Sequence, residues 1–256
     1  MKKDKLTFLD YQYSLPKMFI VGVILLLIYV FAGKVTLIKV IPQPWNRLLY
    51  MIIALSVAGV CAYFAKTTKV LNVKPQQGKI VILSAILIVI LAYIYVAKAV
   101  GWKMVFSQGW MITFICLMTA LGAGFAEEFI FRNLFFNAFI GVFKKQKYAL
   151  LWASISVSAI FGLMHLVNLT HQSWAATSQQ VFYAFAIGVL FCVIHIWSNS
   201  MIIPAIMHFL FDFSPMMKNS TTTAIPWLGV LIIFLPILVI SLLWLFFYNK
   251  KVINLG

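Results

Sequence analysis

Residues 110–143 read WMITFICLMTALGAGFAEEFIFRNLFFNAFIGVF, an apolar run in which the only charged residues are Glu127, Glu128 and Arg132. The whole chain of 256 residues holds five acidic residues, and two of them stand side by side here. A third, Asp212, lies in another apolar run, four residues after His208, while Asp4 and Asp10 sit near the N-terminus. An ionisable group inside a membrane segment costs at least ~2.5 kcal/mol and is usually functional. Every carboxylate beyond the N-terminal head is thus placed where a carboxylate is unfavourable.

The surrounding chain makes these segments membrane segments. Hydrophobic residues make up 64% of it, charged residues 10%, and the mean hydropathy is +1.02. That composition excludes a soluble domain and predicts an all-α, polytopic helical membrane protein. Apolar runs at about 18–33, 48–65, 80–97, 110–143, 148–167, 181–197, 201–217 and 225–248 predict about eight transmembrane helices. The expected organisation is a head at 1–17, a single transmembrane domain at 18–248 and a short tail at 249–256. The first run lacks a small-residue cleavage site and is followed by further runs, so it reads as an uncleaved anchor. The run at 110–143 is the exception in length. As one helix it would reach ~50 Å, too long to cross once without a break, a steep tilt or an interfacial piece.

The formal charge of +15 comes from lysines between the apolar runs rather than from a basic stripe. The implied partner is membrane lipid, not nucleic acid. With the N-terminus inside, the inner side takes 13 Lys and Arg: four in the head, four at 66–79, three at 144–147 and two in the tail. The outer side takes 6: three at 34–47, two at 98–103 and Lys218. The bias puts both termini in the cytoplasm of a multi-pass cell-membrane protein. Cys61, Cys116 and Cys192 all lie in apolar runs without a CxxC pair and read as core residues. Asn168 to Gln180 reads as an uncharged polar loop with Trp174 as an interface anchor.

Spacing divides the polar residues into roles. Glu128 and Arg132, at i and i+4, pair on one helix face. Glu127 points about 100° away and lacks that partner. This gives one structural and one reactive carboxylate; the alternative is a buried ion network that only holds helices together. His165 ends the fifth run with Phe161 one turn earlier, and His208 and Asp212 share a face one turn apart. His171, in a polar loop, and His195, near a span end, lack such company. No HExxH, GxSxG or glycine-rich phosphate loop is present, which removes the usual zinc metalloprotease helix, the nucleophile elbow and nucleotide-driven transport. What remains can activate water, either with Glu as general base or through a metal.

EExxxR at Glu127–Arg132, FxxxH at Phe161–His165 and HxxxD at His208–Asp212, in that order, resemble the CPBP family of intramembrane proteases. This is also called the Abi or CAAX-protease-like family, and the resemblance covers about residues 110–217. It implies an intramembrane endopeptidase acting on a membrane-associated peptide or protein. It also implies Glu127 as general base, His165 as the residue that positions water, and His208 and Asp212 as oxyanion stabilisers. Glu128, Arg132 and Phe161 would support them. The last motif position is often asparagine in eukaryotic members, and ionised aspartate only accepts hydrogen bonds. Asp212 must therefore be protonated, orient His208 or bind a metal. The family mechanism is argued both as metal-free and as metal-dependent; a divalent ion such as zinc would draw on His165, His208, Asp212 and Glu127. The compact, lysine-rich chain reads as bacterial, so maturation of an exported or signal peptide, or bacteriocin self-immunity, fits better than processing of a prenylated protein. The rival readings are a non-catalytic scaffold of the same fold and a small proton-coupled transporter. One tension accompanies them: eight simple spans put Glu127 and His165 at different depths, so the fourth run must be offset or broken, or the fifth extended.

Overall fold

The computed structural model describes residues 14–35, 41–71, 80–214 and 224–253. Most of the expected head, Lys218, residues 215–217 of the seventh run and the end of the tail lie outside the described residues. The elements are α1 (Leu15–Val35), α2 (Trp45–Ala65), α3 (Val81–Ser107), α4 (Trp110–Glu128), a π-helical segment (Phe129–Phe135) and α5 (Phe136–Phe143). They continue with α6 (Ala149–Met164), a 3-10 segment (His165–Thr170), α7 (Trp174–Ser198), α8 (Ile202–Asp212) and α9 (Trp227–Ile253). There is no β-strand among the described residues. In lipid only a helix satisfies all its own backbone groups, and these apolar sequences obey that constraint.

Among the described residues, seven of the helical rods are long and apolar enough to cross a membrane. The seventh apolar run, at 201–217, forms the eleven-residue α8. Helix α3 continues to Ser107, so Lys98 and Lys103 belong to a helix rather than to the expected loop. The loop expected at 168–180 is likewise shorter. The 3-10 segment runs to Thr170, and α7 starts at Trp174, where Ser173 Oγ caps the helix by accepting from Ala176 N at 3.2 Å. The run at 110–143 is one continuous rod, and its irregularity is the π segment directly after Glu128. A π turn widens the helix and is often found at functional sites.

Helix α7 and the rod 110–143 form the centre, with α2 and α8 packed on α4, α6 and α9 on α7, and α1 beside α2. The outer helices turn large apolar side chains outward, among them Leu27 and Phe31 of α1, Val89 and Val96 of α3, and Leu228 and Ile232 of α9. Cys61, Cys116 and Cys192 are buried free thiols, as expected of core residues. Gly141 of α5 packs against Leu15 of α1. Asn249 of α9 accepts from Leu150 N at 2.7 Å and donates to Lys147 O at 2.6 Å. The start of α1 and the end of α9 therefore share one end of the bundle. At the other end Gln179 Nε2 donates to Ile225 O at 2.6 Å, joining the starts of α7 and α9.

Close packing of α8 on α4 depends on Gly124. A Cβ there would lie 2.5 Å from Phe209 N and 2.8 Å from Phe209 Cα. Backbone cannot rotate aside as a side chain can, so Gly124→Ala must push α8 away. Gly59, with nothing within 4 Å, is the matched control. Thermal unfolding in detergent is expected to show Gly124→Ala lowering the midpoint by several degrees (overpacking costs ~1–3 kcal/mol), with Gly59→Ala unchanged.

Candidate active site

The rod 110–143 carries the centre of the site. At the boundary of α4 and the π segment, Glu128 Oε1 lies 2.9 Å from Arg132 Nη1, with both side chains 0% exposed. The expected i, i+4 ion pair is present. The guanidinium lies over the Phe161 ring at 4.0 Å from its centroid, a cation–π contact that is strongest away from water. Gly188 of α7 makes room for it, since a Cβ there would come 2.9 Å from Arg132 Nη2.

The same Glu128 oxygen accepts from His208 Nδ1 of α8 at 2.8 Å. Sequence spacing does not show this bond, because it joins residues eighty positions apart on different helices. It fixes the ring so that Nε2 faces Asp212 Oδ2 at 3.4 Å and Glu127 Oε2 at 3.8 Å. Asp212 is the most open of these groups, 37% exposed. Its carboxylate lies beside His208 Nε2 rather than beside His165 or Glu128.

Glu127, pointing away from Arg132, is held from the other side. Tyr29 of α1 donates its hydroxyl to Glu127 Oε1 at 2.8 Å, and Tyr50 of α2 donates to the Tyr29 oxygen at 2.8 Å. Both tyrosines lie outside the motif-bearing segment. Nothing in their spacing marks them, since a tyrosine in an apolar run reads equally as an interface residue.

His165 begins the 3-10 segment, and its Nδ1 lies 2.9 Å from Phe161 O. A carbonyl only accepts, so Nδ1 carries the proton and Nε2 of the neutral ring keeps its lone pair. Phe161 meets the rings of both His165 and His208 edge-on, at 5.1 and 6.0 Å. One phenylalanine thus spaces the guanidinium and both imidazoles, which is the physical content of the FxxxH motif.

Glu127, His165, His208 and Asp212 line one cavity of about 660 Å³. The depth tension read from the sequence disappears, because Glu127 stands in the middle of its long rod and the 3-10 segment carries the fifth run onward. His171, which lacks such company in the sequence, lines the same cavity. His195, which also lacks it, is buried elsewhere, 3.2 Å from Thr68 O. As placed, the four residues named as metal ligands do not form a ligand set: among the described residues no three His, Cys, Asp or Glu converge to hold a metal ion. One atom each of Glu127, His165 and His208 is engaged, with Tyr29, Phe161 O and Glu128 respectively. The arrangement offers a carboxylate oxygen, an imidazole lone pair and a second imidazole backed by a carboxylate, all facing one polar space inside an apolar bundle.

No curated protein and no solved structure matches the chain. Residues 109–214, which hold all three motifs, match the Rce1-like family of type II CAAX prenyl endopeptidases, in agreement with the CPBP resemblance read from the sequence.

Proposed function

We propose that the chain is an intramembrane endopeptidase that hydrolyses a peptide bond of a membrane-associated peptide or protein. The observation that carries this reading is the placement of Glu127, held by Tyr29 on one oxygen and facing His208 Nε2 with the other, in a cavity it shares with His165. Glu127 is the general base. Water enters the cavity, gives one proton to Glu127 and attacks the carbonyl carbon, with His165 Nε2 accepting the second water hydrogen and fixing its orientation. Protonated His208 donates from both nitrogens, through Nδ1–H to Glu128 and through Nε2–H to the developing oxyanion. Before substrate arrives, Asp212 accepts that second donor, so its role here is to position His208. The intermediate collapses as the C–N bond breaks, and the proton held by Glu127 passes to the leaving amine.

The cavity opens away from the end that holds Leu15 and Asn249. Lys34 at the end of α1, Thr170 after α6 and Ser214 after α8 line its outer part. With both termini cytoplasmic, as the lysine bias indicates, the site faces the outer side of the membrane. Exported or secreted peptides, including a bacteriocin in self-immunity, then fit better than a cytosolic prenylated protein.

Two outcomes test this reading. At matched membrane levels, Glu127→Gln, His165→Ala and His208→Ala should each lower cleavage of a processed peptide by about 100-fold or more, and Tyr29→Phe by less, about 3- to 10-fold. Unchanged processing in Glu127→Gln would move the reading to a scaffold. In intact cells, His171→Cys should react with a membrane-impermeant maleimide, while Lys145→Cys should react only after permeabilisation. The reverse pattern would place the cavity on the cytoplasmic face.

A further inference from the structure

Lys98 takes no part in this reaction, yet it lines the cavity that holds Glu127, His208 and Asp212. It stands within α3 rather than at its end, and a charged residue within a membrane helix calls for a partner. Its ammonium lies 4.3 Å from the centroid of the Phe211 ring. Among the described residues no carboxylate oxygen lies within 4.0 Å of it. Asp212 is within electrostatic reach, but its Oδ2 is turned to His208 Nε2 at 3.4 Å.

The helix face that carries Lys98 is fixed to α8. Tyr95 and Trp102 share this face of α3, and they donate to Met207 O at 2.7 Å and Leu210 O at 3.1 Å. These bonds join α3 to α8 on both sides of Lys98. A second cavity of about 480 Å³ adjoins the first, with Lys98, Gln180, Tyr183 and Phe211 lining both. Its remaining walls are largely apolar, including Ile94, Val230 and Phe234. Lys98 therefore stands where the polar cavity meets an apolar groove.

A half-buried ammonium with an aromatic neighbour and no carboxylate at ion-pair distance complements an incoming anion. We propose that Lys98 is an anion subsite whose ammonium binds a carboxylate of the substrate peptide close to the bond that is cut. This rests on the endopeptidase reading. The carboxylate comes either from the peptide's own C-terminus or from an acidic side chain, and the experiment separates the two.

The probes are palmitoylated peptides with a randomised apolar four-residue C-terminal segment. They are prepared as the free acid, as the carboxamide, and as the carboxamide with one added glutamate. Binding to the full chain in nanodiscs of zwitterionic lipid is read by mass spectrometry of the retained peptides. The wild type should retain one of the two anionic pools at least about tenfold better than the neutral carboxamide, and which pool it is identifies the source. Lys98→Met should bring that pool to the carboxamide level with carboxamide binding unchanged, which also reports that the variant is folded. Lys98→Arg should keep the preference, as should Lys103→Met, which removes an exposed lysine of the same helix. Equal retention of all pools by the wild type would overturn the proposal, as would a preference that survives Lys98→Met or one that Lys103→Met removes equally. Because binding is read, an intact preference without any cleavage would count against the endopeptidase reading alone.

Discussion

The interaction on which the rest depends is the fully buried pair of Arg132 and Glu128, 2.9 Å apart. A guanidinium at that depth cannot shed its charge, and an unpaired buried ion is strongly destabilising. The surrounding sequence answers that need residue by residue. Glu128 supplies the counter-charge, the Phe161 ring covers the guanidinium plane at 4.0 Å, and Gly188 gives up its side-chain volume. Once Glu128 is fixed by Arg132, its shared oxygen fixes His208, and with it the orientation of α8. The charge that looks most costly in the sequence is thus the anchor for the His208 imidazole.

That anchor also accounts for the division between the neighbouring glutamates. Helical geometry sends them to different sides of one rod. Glu128 faces the closed interior; Glu127 faces the cavity, where Tyr29 and a more distant His208 Nε2 approach it. The tyrosine relay from α1 and α2 shows that the flanking helices do more than anchor the chain. They complete the site from outside the segment 109–214 that carries the family likeness.

Most of the fold was legible because lipid removes alternatives: an apolar run of the right length is a helix. The misreadings follow one pattern. Lys98 and Lys103 read as a connection at 98–103, yet long lysine side chains let a helix continue while the charge seeks a polar region. Asn168 to Gln180 reads as one polar loop, although Ser173 is a readable helix cap. In the site, Glu127, Glu128, Arg132, Phe161, His165, His208 and Asp212 were all visible, since polar residues in apolar runs announce themselves. The bond between His208 and Glu128 was not, because spacing along the chain speaks only for pairs on one helix. Tyr29, Tyr50 and Lys98 were missed because each has an ordinary reading at a membrane boundary.

The claim at the centre of this account is that one glutamate holds the structure and the other is kept for chemistry. Thermal unfolding of Glu127→Gln and Glu128→Gln in the same detergent tests it without any substrate. The account predicts that Glu128→Gln, by leaving the buried Arg132 unpaired, lowers the midpoint by roughly 10 °C. Glu127→Gln should stay within about 2 °C of the wild type, because Tyr29 still finds an acceptor and His208 keeps its nearer carboxylates, Glu128 and Asp212. Equal destabilisation by both substitutions would contradict the account and make the pair one structural ion network.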